Sequence, residues 1–167
     1  MYRVPINFHK RLMRGESPIP YIVIDTHMGY RAYAEKELAK VFEVAARLAD
    51  GTYTADGTYL AGGDSAGVIA KDGRVISFGS FERSLQSAKD DILGAYSSKT
   101  LQSMTVELDN SDGKLALLIA SEPFIGRPVK AYVGFGSDPQ SEHLETFSGI
   151  ITELSVMQTM TIEANEE

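Results

Sequence analysis

Residues 100–113 read TLQSMTVELDNSDG, and their pattern decides the fold class. Leu101, Ser103, Thr105 and Glu107 alternate with Met104, Val106 and Leu108, which places one apolar and one polar row on opposite faces of a strand. The stretch Asn110-Ser111-Asp112-Gly113 then closes a tight turn, because Asn and Gly accept positive φ and Asp bonds nearby backbone amides. Working outward, Arg74 to Glu82 (RVISFGSFE) sets Val75 and Ser77 against Ile76, Phe78 and Ser80, with Gly79 marking a bulge or bend. Val129–Phe135, Phe147–Val156 and Met160–Ala164 complete a run of antiparallel strand candidates. Leu115–Ala120 is apolar without alternation and suits either a buried helical turn or a short strand.

Upstream, Tyr21–Thr26 (YIVIDT) and Tyr30–Tyr33 flank a turn at His27-Met28-Gly29 and form a hairpin. The period then changes. Ala34, Leu38, Val41 or Phe42, Ala45 and Leu48 recur at three and four, which predicts a helix over about 35–48 that Gly51 ends. Two Asp-Gly-Thr-Tyr units, at 50–53 and 56–59, lead to Gly62-Gly63 and predict an exposed ribbon over 49–67. The expected architecture is mainly β: an antiparallel sandwich or barrel with one amphipathic helix near the N-terminal third. The expected organisation is a basic arm over 1–19, one domain over 20–164 with the helix and ribbon inserted at about 35–70, and a tail over 165–167. Met104, Val106, Leu108, Leu117, Ile119, Phe124, Val133, Ile150 and Leu154 are expected to share one core. Gly149 is expected to let a neighbouring backbone pass close.

The chain has 167 residues, no Cys and a formal net charge of −7. Without Cys there is no disulfide and no thiolate metal ligand. Apolar runs are far too short for a membrane-spanning helix, and the first residues lack a secretory pattern, so a soluble protein kept in the cytoplasm until it joins an assembly is expected. Residues 1–15 carry Arg3, Lys10, Arg11 and Arg14 and no acid, while the rest, with 12 Lys/Arg against 23 Asp/Glu, is net −11. That body repels phosphate, which argues against nucleic acid as a partner. A basic arm on an acidic body fits docking on a neighbouring copy, so those four cations are the candidate assembly contacts.

No catalytic set emerges. His9, His27 and His143 accompany no nucleophile elbow, and Glu142-His143-x-Glu145 reads as a solvated acidic loop ahead of a metal site. Asp50, Asp56, Asp64 and the turn at Asp109–Gly113 lack Ca²⁺-loop spacing and read as turn residues. Asp90-Asp91 and Glu166-Glu167 read as exposed charge, and no glycine cluster opens a helix after a strand to cradle a nucleotide. The expectation is therefore a protein without enzymatic activity, metal or cofactor. The tyrosines Tyr53, Tyr59, Tyr96 and Tyr132 leave a carbohydrate-binding β-sandwich module as the alternative.

Several segments in order resemble phage tail-tip and baseplate hub proteins. They are YIVIDTHMGYRAYA (21–34), GRVISFGSFERS (73–84), SMTVELDNSDGKLALLI (103–119), EPFIGRPVKAYVGF (122–135) and FSGIITELSV (147–156). The resemblance implies a structural subunit of a phage or prophage tail or baseplate. It implies partners among other tail subunits, a ring around the tail axis, and a final location in the virion tail. Such proteins continue past the last strand, so either a short member or the front domain of a longer chain is expected.

Overall fold

The computed structural model describes residues 5–49, 71–85, 100–138 and 140–166. Its strands are β1 (Ile19–Thr26), β2 (Gly29–Glu35), β3 (Lys71–Leu85), β4 (Thr100–Asp109), β5 (Pro128–Gly134), β6 (Leu144–Val156) and β7 (Thr159–Glu166). They close into a barrel in the order β1-β2-β3-β4-β7-β6-β5. The helices among the described residues are α1 (Ile6–Met13), α2 (Lys36–Ala49) and α3 (Lys114–Ser121). The fold is thus mainly β and a barrel, with three helices where one was expected and with one parallel contact, β2 on β3. That pairing follows from α2, which lies between the two strands in sequence. A parallel pair needs such a crossover, whereas the β1–β2 hairpin needs only a tight turn.

Two apolar clusters explain the strand patterns. Ile22 and Ile24 of β1 join Tyr33, Met104, Val106, Leu108, Val129, Phe147, Ile151 and Ile162 in the main core. Ile19, Tyr21 and Val23, on the opposite face of β1, meet Ala32, Ala34 and the α2 residues Ala39 and Phe42 in the second. A strand covered on both faces reads as a continuous apolar run, which is why YIVI does not alternate. Small residues at 32 and 34 let α2 approach the sheet. The bulge expected at Gly79 is present as a register shift between Phe78 and Phe81.

The expected core needs correction at three positions. Met104, Val106, Leu108 and Phe124 are in it, and Ile119 and Leu154 pack against its rim. Leu117 is 75% exposed. The run 115–120 is helical, and a residue two places after the buried Leu115 points to the other side of a helix. Ile150 and Val133 are only half-buried. On β6 the inward row is Phe147, Gly149 and Ile151, so Ile150 faces out between Pro128 and Asn165. Buried Asn110 settles the helical form of α3. Its Oδ1 accepts from the N–H groups of Leu115 (3.0 Å) and Ala116 (3.3 Å), and its Nδ2 donates to the Met157 carbonyl (2.7 Å). One side chain satisfies orphan amides of a helix start and ties that helix to the β6–β7 turn.

Candidate functional site

The described part of the basic N-terminal segment, residues 5–15, lies against Asp138 and Glu142 of its own chain. Pro5 precedes α1, where its missing N–H costs nothing. Phe8 is buried, with its ring 5.3 Å from that of Phe135. Phe8 thus ties the segment expected as a basic arm to the body of the domain. Arg11, one turn on, places its guanidinium 4.6 Å from the centre of the Phe135 ring. It pairs with Asp138, donates to Ser137 Oγ (2.6 Å) and bridges Glu16 (2.7 Å). Asn7 donates to the Glu142 carboxylate at 3.0 Å. Arg11 is therefore engaged within the chain. Lys10 and Arg14 are exposed, and neither makes an ion pair among the described residues. Arg3 lies outside the described residues. Gly15 follows at φ +78°, a left-handed conformation that glycine accepts at no steric cost, and redirects the chain into β1.

The loop that receives α1, residues 135–143, is fixed from beneath by His143, which is buried and not part of a solvated loop. The Phe135 carbonyl is 3.1 Å from Nε2, so that nitrogen carries the proton. Nδ1, 2.7 Å from Tyr21 Oη, then accepts from the phenol. Phe42 of α2 stands against both rings. Lys71 Nζ sits 4.5 Å above Tyr21 and 4.2 Å above Phe42, and burial pulls its pKa down to about 8. Burial also holds the His143 imidazole below its ordinary value, and the nearby Lys71 charge adds to this. Because the unfolded chain takes up a proton near pH 6.5 and the folded one only lower, this contribution to stability is complete above about pH 6.5. It is lost as pH falls through that value toward the folded pKa. Urea midpoints measured from pH 7.5 to 5 should fall for the native chain and flatten over the upper part of that range in His143→Gln. An unchanged slope would place the titration elsewhere.

A second buried polar group, Glu122, follows α3 and fastens it to the first hairpin. Its carboxylate accepts from the Thr26 hydroxyl, the Met28 N–H (3.2 Å) and Arg31 (3.0 and 3.2 Å). The Thr26 bond and the Arg31 charge hold its pKa below the ordinary value. Arg74 grips Asp112 with two nitrogens (2.8 and 2.9 Å) and also bonds Asp72 and the Asp109 carbonyl. These contacts fix α3 to the first hairpin and the turn after β4 to β3.

The histidines do not converge, since His9 and His27 are exposed on α1 and on the first turn. Among the described residues no three acidic, His or Cys side chains are placed to share a metal ion. Asp50, Asp56, Asp64, Asp90, Asp91, Tyr53, Tyr59, Tyr96 and the ribbon beyond Ala49 lie outside the described residues. No signal in the sequence pointed to Glu122 or Lys71, because both stand beside turn residues where a charge ordinarily faces water.

Clefts on the barrel surface include two lined by described residues. One, of about 460 Å³, is lined by Tyr30, Tyr33, Arg31, Arg74 and Lys114. Its cations are already matched to Glu122 and Asp112. The other, of about 370 Å³, lies over the outer face of β1 and β5, between Tyr30 and Tyr132, with Val23 and Pro128 beneath and Asp25 and Lys130 beside them. Tyr132 is held by stacking on Tyr21, with centroids 5.4 Å apart and planes at 21°. Lys130 is paired with Glu145 at 2.9 Å. Asp25 makes no ion pair among the described residues.

These features define a closed, mixed β-barrel dressed with helices, whose buried polar groups fix elements to one another. No family model matches the chain, and no curated protein matches it. Among solved structures, a chain in the virion of a native gene transfer agent particle has a similar fold, with a TM-score of 0.58 and 12% identity. The match covers 97% of this chain and 44% of that one, so this chain spans less than half the length of the virion chain it matches. At that identity the likeness is one of fold.

Proposed function

We propose that this chain is a structural subunit or domain of a phage-like virion, in its tail or baseplate, acting through assembly contacts and not through catalysis. The observation that carries this reading is the fold shared, over 97% of the chain, with a component of a gene transfer agent virion. The ordered tail-like segments of the sequence support it. The partners in this reading are other tail subunits and further copies of the chain, met first in the host cytoplasm and then in the virion tail.

The test is incorporation. In cells producing the particles, the chain should co-purify with intact particles and be labelled at the tail by antibody electron microscopy. Deleting it should leave heads without complete tails. Complete, functional particles lacking the chain would overturn the reading.

A further inference from the structure

α1 presents two faces, and its own chain uses one. Phe8 and Arg11 are committed to Phe135 and Asp138. On the other side, Ile6 (74% exposed) and Met13 (77% exposed) lie seven residues apart with Lys10 between them, and exposed Arg14 follows at the helix end. Spacings of three, four and seven place Ile6, Lys10 and Met13 in one stripe, and Lys10 and Arg14, four apart, are neighbours along it. The stripe therefore carries two long apolar side chains and two cations, and it points away from the surface on which α1 is seated.

Its complement is the cleft between Tyr30 and Tyr132. With Lys130 neutralised by Glu145, the charge left at the cleft is that of Asp25. The two tyrosines and Pro128 supply aromatic and apolar surface. Such a site suits a long cationic side chain, which gains from the carboxylate and from the face of a ring, together with a methionine, whose sulfur packs well on aromatic edges. Tyr132 is already oriented by its stack on Tyr21, so little ordering is needed on binding.

We infer that the outward face of α1, carrying Ile6, Lys10, Met13 and Arg14, docks in the Tyr30–Tyr132 cleft of a second copy of this chain. The contact joins two different patches, so a docked pair still has one free α1 face and one free cleft, and the contact repeats from copy to copy. The charge balance favours this occupant: the body is net acidic, and these cations lie on the segment that carries no acid. The inference rests on the assembly reading above but concerns a specific contact that is measurable without particles.

Because the chain has no cysteine, the contact is testable by site-directed cross-linking of the full-length protein. Met13→Cys protein mixed with Tyr30→Cys protein and a short bismaleimide should give covalent heterodimer about tenfold faster than Met13→Cys mixed with Glu153→Cys, a typical gain from charge complementarity. Raising the salt should shrink that advantage. Adding Asp25→Lys to the Tyr30→Cys protein should abolish it, and adding Lys10→Glu with Arg14→Glu to the Met13→Cys partner should restore it. Ile6→Cys repeats the measurement from the other end of the stripe. Equal rates to Tyr30→Cys and Glu153→Cys, or preferential linkage to Glu153→Cys, overturn the contact. The assembly reading survives that result if the chain is still found in particles, and falls independently if it is not.

Discussion

Gly149→Ala is expected to prevent the barrel from closing, and the protein carrying it should be found largely unfolded or aggregated. A Cβ at this position would stand 2.2 Å from the Asn165 carbonyl oxygen and 2.7 Å from its carbonyl carbon, both backbone atoms of β7. Backbone in a paired strand cannot step aside as a flexible side chain can. The same Cβ would meet the Phe147 ring at 2.7 Å, and Phe147 is among the largest fully buried side chains. Relief requires β6 and β7 to separate along a pairing that runs from Gly149–Glu166 to Val156–Met160. Losses above about 4 kcal/mol come from a short list of mechanisms, overpacking against fixed atoms among them. Circular dichroism and urea denaturation check this directly. A variant with a native spectrum and a midpoint near that of the native chain would show that the two strands are not in the described register.

The sequence announced Gly149, and the reason is general. A glycine inside an otherwise apolar strand has few explanations, and a close backbone passage is one of them. The first hairpin, α2 and the bulge at Gly79 were legible for similar reasons, since each rests on a period or a turn residue within a dozen positions. What could not be read depended on contacts distant in sequence. Leu115–Ala120 has no period that separates strand from helix, and the decision lies with Asn110, whose side chain caps the helix start. Burial of His143 depends on Tyr21, more than a hundred positions away, so Glu142-His143-x-Glu145 looked like a solvated loop. The basic segment looked unattached because its anchors, Phe135 and Asp138, lie at the far end of the chain. As to the candidate site, its cations were visible as an excess of charge. That Arg11 turns inward while Lys10 and Arg14 remain exposed was not, because the docked face of α1 is chosen by the surface that receives it.

Phe124→Ala is expected to cost about 3–5 kcal/mol of folding stability, the range for removing a buried phenylalanine. Phe124 stands in the loop between α3 and β5 and is fully buried in the main cluster. Its surroundings are poorly able to collapse into the space it would leave. The loop is pinned on both sides by the Gly126 N–H on the Ile151 carbonyl (2.8 Å), the Ile151 N–H on the Arg127 carbonyl (3.0 Å) and the Arg127 N–H on the Phe124 carbonyl (3.0 Å). Glu122, two residues earlier, is held to Thr26 and Arg31. A cavity lined by anchored elements stays open, and the cost of a truncation grows with the volume that remains. Leu117→Ala, on the solvent side of the neighbouring α3, supplies the contrast. With its side chain 75% exposed it should change stability by no more than about 0.5 kcal/mol. Both residues belong to the core expected from the sequence, so equal losses at the two positions would contradict the orientation of α3. A large loss at Phe124 with almost none at Leu117 is the result this barrel requires.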